Sequence, residues 1–263
     1  NLGITDKGTL SLLRKAVKDL KVQMANLHTT FIDHSPYCFQ KILDQLRFKA
    51  LCQNYPHQHA RAPVIHESQT EQFAEVVDYY FPGECASFIL GKIESTILSS
   101  QEAAQIKSWL EEDDLPTHAK ILYQATRDGW GPSDFHRCCD NQGPTITIIQ
   151  SQKGYVFGGF ADMSWASSGN YTPSPQAFLF ALRTYSGLGP RKMKQRPEKA
   201  DKAVYHSSEF GASFGCADID IIENPNTSSR SSAMVGGAYQ CPAGENKETV
   251  LTGSKYFIAS EIE

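Results

Sequence analysis

The chain has 263 residues, 40% of them hydrophobic and 21% charged, which is ordinary globular composition, enough for one large domain with an appendage or for two modest ones. A net charge of −4 gives no overall field that would draw in DNA, RNA or an acidic membrane. Charges or prolines interrupt every apolar run well short of the length that spans a bilayer.

The opening residues, NLGITDKGTL, lack the layout of a secretory signal. A chain beginning at Asn1 reads as a cut or processed product, which leaves a removed signal, and so secretion, open. Seven scattered cysteines read as reduced cytosolic thiols rather than a disulfide framework. The expected location is cytoplasmic.

Leu10, Leu13, Val17, Leu20, Met24, Leu27 and Phe31 alternate spacings of three and four, a heptad seam over residues 10–31. Two readings stay open: a coiled coil that pairs copies of the chain, or a helix docked in cis. Ser35-Pro36 suits a helix start, and Phe39, Ile42, Leu43, Leu46, Ala50 and Leu51 supply its apolar face. A polar connector with His57, His59 and His66 follows and reads as a solvated linker rather than a metal site. Phe73, Val76, Val77 and Tyr80 mark a further helix that Pro82-Gly83 breaks. Ser99-Ser100-Gln101-Glu102 is a capping box opening a helix through Ile106, Trp109 and Leu110.

After Pro116 the texture becomes short β-branched and aromatic runs between turns: ILYQA (121–125), TITIIQ (145–150), YVFGGF (155–160), AFLFALRT (177–184), ADIDII (217–222) and KYFIASEIE (255–263). These predict an antiparallel sandwich or barrel. The class is α+β: a helical region over 1–95, then a β-sandwich with short helices over 97–263.

His136, Cys138, Cys139 and Asp140 crowd together, yet adjacent cysteines diverge and no second ligand pair exists, so a loop and turn is the better reading than zinc. Asn141-Gln142-Gly143-Pro144 is turn chemistry. GASFG (211–215) fits the nucleophile-elbow pattern at Ser213, but no histidine follows His206, so the hydrolase reading is rejected. Phosphate-cradling glycine motifs are missing. Gly187-Leu188-Gly189-Pro190 opens a basic loop, RKMKQRPEK, of the kind that is usually solvated and otherwise meets an acidic partner or lipid head group. Asp218, Asp220, Glu223, Asn224 and Asn226 gather hard oxygen ligands without EF-hand spacing, and make 218–226 the candidate calcium loop.

From about Ile97 to Glu263 the chain resembles the TLDc domain family. The likeness rests on ILYQATRDGW, FHRCCDNQGPTITIIQSQKGYVFGGF, Ser164-Trp165, AFLFALR, AVYH, FGASFG with ADI, and SKYFIASEIE. The resemblance implies two packed antiparallel sheets, an association with oxidative-stress protection, binding to subunits of the vacuolar proton-pumping ATPase, and no established enzymatic mechanism. Arg127, Asp128, Asp140, Asn141 and Gly143 match the family motif as its polar and turn residues, to be read as salt bridge, cap and tight turn or as a binding set. The expected function is a non-enzymatic interaction protein, with a calcium- or ligand-binding protein as the alternative. The serine- and asparagine-rich segment after Ile221 is longer here than in the stress-protective members.

Overall fold

A computed structural model describes residues 36–54, 63, 65–80 and 89–263. The heptad seam at 10–31, His57, His59 and Pro82-Gly83 lie outside the described residues. The chain divides into two compact units, Asn1–Glu94 with Ile106–Lys120, and Ser95–Gln105 with Ile121–Glu263.

In the first unit, helix α1 spans Pro36–Asn54 and α2 spans Thr70–Tyr80. Their apolar residues recur at helical spacing, so Cys38, Ile42 and Leu46 come together with Phe73, Val76, Val77 and Ile89 in one buried cluster. Phe39 meets Tyr80 edge-on at 5.7 Å. The capping box forms as its residue types require: the Glu102 N–H donates to Ser99 Oγ at 3.3 Å, and the Ser99 N–H to Glu102 Oε2 at 2.9 Å. It opens α3, Ser100–Glu112, which belongs to the second unit up to Gln105 and to the first from Ile106, with Ile106, Trp109 and Leu110 buried.

The second unit holds two antiparallel sheets. Its strands are β1 Thr145–Ser151, β2 Val156–Ala161, β3 Asn170–Thr172, β4 Phe178–Arg183, β5 Arg191–Lys194, β6 Val204–His206, β7 Ser213–Phe214, β8 Ile219–Asp220, β9 Ser231–Ala233, β10 Tyr256–Phe257 and β11 Ala259–Ile262. One sheet runs β11-β1-β2-β4-β5 and the other β10-β9-β8-β7-β6-β3. Strand alternation turns Ile149, Phe157, Leu179 and Met193 of the first sheet into the same core as Val204, Phe214, Ile219 and Phe257 of the second. Gly159 makes room between them, since a Cβ there would stand 2.8 Å from the Phe214 ring. The sandwich expected from the strand texture is therefore present.

Several elements differ from the sequence expectation. ILYQA is not a strand: Tyr123 and Gln124 precede the short helix α4, Ala125–Asp128. The stretch expected as a loop before Asn141 is helix α5, Pro132–Cys139, which starts with proline in its first turn and buries Phe135, His136 and Cys139. The expected basic loop begins as edge strand β5, because Met193 reaches the core while its basic neighbours stay outside; Pro197–Lys202 is a 3-10 helix. Only Ile219–Asp220 of ADIDII pairs as strand.

Candidate functional site

Two helix–loop junctions carry the family-matching polar residues. At the first, Asp128 ends α4 and accepts Arg127 through both oxygens, Nε at 2.9 Å and Nη2 at 2.7 Å, and also the Gln124 N–H at 2.8 Å. The Arg127 hydrogen bond is the main reason the Asp128 carboxyl is held below the usual carboxylate range. Arg137 of α5 donates to the Asp128 carbonyl at 3.0 Å and to Asp134 at 3.3 Å. Arg127 and Asp128 thus brace the α4–α5 corner.

At the second junction, α5 ends on Asp140. Asn141 takes a left-handed φ of 60° and donates its N–H to Trp165 O at 3.1 Å, while the Gly143 N–H (φ 84°) donates to Ser164 Oγ at 2.9 Å. The turn is therefore tied to the Ser164-Trp165 pair.

Two buried histidines lie beside that turn. His136 Nδ1 lies 2.7 Å from Asp140 Oδ1, and its Nε2 lies 3.0 and 2.9 Å from the carbonyls of Ser207 and Phe210. A carboxylate and two carbonyls only accept, so each of these contacts is a hydrogen bond where the facing ring nitrogen carries the proton. His206, by contrast, uses Nδ1 to accept the Ala166 N–H at 3.0 Å. Its strand β6 carries it against the Trp165 ring, at 5.6 Å, where the Asp140 carboxylate favours its protonated form.

Asp218 is fully buried, and five backbone N–H groups converge on it. Gly236, Gly237 and Tyr239 donate to Oδ1 at 2.7, 2.9 and 3.4 Å, and Ala238 and Cys216 donate to Oδ2 at 2.6 and 3.2 Å. Burial pushes the Asp218 carboxyl up, and the N–H groups of 236–239 pull it back. Gly215 and Gly237 permit this packing, since a Cβ on either would sit 2.2 or 2.6 Å from Asp218 Oδ2. Asp220 accepts Ser213 Oγ at 2.5 Å, so the serine of the elbow-like pattern faces a carboxylate. Glu223 is exposed, and Asn224 (φ 52°) forms a turn whose carbonyl accepts from Thr227 and Ser228. Among the described residues no group of three or more His, Cys, Asp or Glu is arranged to hold a metal.

Cys139 packs in the sandwich core, and burial pushes its thiol up to about 12. Beside the Asp218 loop a cleft of about 680 Å³ is lined by Arg196, Cys241, Glu245 and Lys247 among others, mixing cations with carboxylates. Arg196 donates to the carbonyls of Gly236 and Gly237 and pairs with Glu198. Sequence reasoning did not single out this cleft, nor Glu261 and Glu263. Glu261 accepts the Thr126 N–H at 3.1 Å, and Glu263 accepts Ser95 Oγ at 2.5 Å and the Thr96 N–H at 2.9 Å. Alternation along β11 marks those carboxylates only as one face of a strand.

Two stacked antiparallel sheets, with loops pinned by buried polar side chains, define a β-sandwich domain of the α+β class. The family model described as TLDc domain matches residues 91–263, and the chain belongs to that family. Curated relatives carry the name MTOR-associated protein MEAK7. The Mus musculus protein is 25% identical over 151 residues, covering 56% of this chain and 32% of its own length. The Danio rerio protein is 36% identical over 66 residues, 25% of this chain and 15% of its own, and the Xenopus laevis protein 29% over 83, 28% and 17%. The chain thus spans about a third or less of the relatives it matches.

Proposed function

We propose that the chain is a non-enzymatic interaction module, a TLDc sandwich over 97–263 carried behind a helical region over 1–95, and that its partner is a protein assembly. The observation that supports this reading is the engagement of its reactive side chains by the fold. His136 has acceptors within hydrogen-bond distance of both ring nitrogens, Asp218 is bonded at both oxygens, and Ser213 is 1% exposed. A general base or nucleophile needs an atom left for substrate. The mixed-charge cleft by Arg196 and Lys247 is suited to a polar protein surface.

The family resemblance makes subunits of the vacuolar proton-pumping ATPase the first candidate partner, with a role in oxidative-stress protection. The printed name of the relatives adds an mTOR-containing assembly as the second. We place the module in the cytoplasm, and assign the heptad seam of 10–31 to pairing between copies.

Affinity capture of the tagged chain from cells, read by mass spectrometry, tests the reading. Enrichment of pump subunits, weakened when the loop holding the cleft is disturbed by Arg196→Ala, is the expected result. Recovery of neither pump nor mTOR subunits, under conditions where another TLDc protein recovers them, would overturn it.

A further inference from the structure

His206 occupies an unusual place for a titratable ring. It is 2% exposed, it lies in β6, and two successive pieces of chain depend on it. Its Nδ1 accepts the Ala166 N–H at 3.0 Å. Its own carbonyl accepts the Gly169 N–H at 2.5 Å, and its backbone pairs with Asn170 at the start of β3. The segment from Ala166 to Thr172 includes an edge strand only three residues long, paired on one side alone. Segments with so few ladder bonds open at low free-energy cost.

We propose that His206 is a pH-responsive latch, holding the 166–172 segment against the sandwich while its ring is neutral and releasing it on acidification. The chemistry is that of one hydrogen bond. An N–H can be satisfied only by a bare Nδ1, and a proton on that atom replaces an acceptor with a donor facing a donor. The groups facing the ring are defined. Asp140 favours the proton, while His136, engaged between Asp140 and the carbonyls of Ser207 and Phe210, opposes it. The Trp165 ring closes one side at 5.6 Å.

Burial is the largest influence and lowers the His206 pKa from its ordinary 6.5. The sign follows from linkage. A group whose folded pKa is depressed contributes stability that is present above the unfolded value and lost as pH falls through the folded one. The latch is therefore closed at and above neutral pH, begins to weaken below about 6.5 and opens as pH falls through the lower folded value. It stands on its own geometry, whichever partner the chain binds.

Amide hydrogen exchange, expressed as protection factors corrected for intrinsic rates, tests this on the full chain. Between about pH 7.5 and pH 5, protection at Ala166, Gly169 and Asn170 is expected to fall about ten-fold or more, with Ile148 and Phe157 unchanged. In His206→Asn, whose side-chain oxygen accepts an N–H at any pH, that fall is expected to disappear. An equal fall in the variant, or constant protection in the wild type, would overturn the latch. If the variant does not fold, ¹⁵N spectra of wild-type His206 decide the matter. A bare Nδ1 at neutral pH, titrating together with the Ala166 amide, supports the proposal; a protonated Nδ1 at neutral pH refutes it.

Discussion

The Asp218 carboxylate receives the Ala238 N–H at 2.6 Å across twenty residues of chain. That contact, with its neighbours at Gly236, Gly237 and Tyr239, makes one side chain the organiser of a loop. It also accounts for the glycine-rich GGAY stretch (236–239), whose backbone must face inward. Replacing Asp218 with Ala leaves several buried N–H groups without an acceptor, and a loss of about 3 kcal/mol or more in urea unfolding is expected. Asp218→Asn, which keeps one acceptor oxygen, is expected to lose less. A difference under about 0.5 kcal/mol for the alanine variant would contradict this role.

Gly237 and Asp218 are coupled through space. A Cβ on Gly237 would stand 2.6 Å from Asp218 Oδ2 and 3.0 Å from Cys216 O. Gly237→Ala is expected to cost about 2 kcal/mol alone. Combined with Asp218→Ala, the total is expected to fall short of the sum by about 1 kcal/mol, because one of the two clashes has been removed. Strict additivity in a double-mutant cycle would argue that the two residues do not share a contact.

Calcium titration addresses the oxygen-rich 218–226 stretch. Asp218 spends its oxygens on backbone N–H groups, and Asp220 accepts Ser213. Calorimetry on the wild type is expected to give no saturable heat. A saturable signal lost in Glu223→Ala, an exposed position, would reinstate the stretch as an ion site.

Thiol labelling separates Cys139 from its neighbour. Burial holds the Cys139 thiol near 12, so at about pH 8 its thiolate fraction is on the order of 10⁻⁴. Iodoacetamide is expected to leave Cys139 unmodified in the native protein and to modify it in denaturant. Native labelling of Cys139 at the rate of partly exposed Cys138 would contradict its placement in the core.

How far these features can be read from sequence depends on where their cause lies. Strands β1, β2 and β4 announce themselves, because TITIIQ, YVFGGF and AFLFALR are β-branched or aromatic runs between turns, and burial is continuous along β2 and along β4 up to Arg183. The capping box at Ser99 is equally local. Helix α5 escapes notice because, in PSDFHRCC, only Phe135 and Cys139 mark its core face, and His136 joins them through carbonyls more than seventy residues away. Strand β5 hides behind Arg191, Lys192 and Lys194, since only Met193 of the four faces the core. The carboxylates of Asp218 and Asp220 were legible as a pair, but their separate partners, Gly236 to Tyr239 and Ser213, are set by tertiary folding alone. Arg127, Asp128, Asp140, Asn141 and Gly143 were found by motif, and the structure places them at two corners of one helix.

Purified components decide whether this fold grips a protein assembly. The full chain would be immobilised and exposed to the purified vacuolar proton-pumping ATPase, and binding measured by interferometry. Saturable binding is expected, weakened in Lys247→Ala, an exposed position lining the cleft, with the unfolding midpoint near the wild-type value. Absence of binding to the intact pump, alongside turnover of a small molecule abolished by one side-chain change in a stably folded variant, would contradict it.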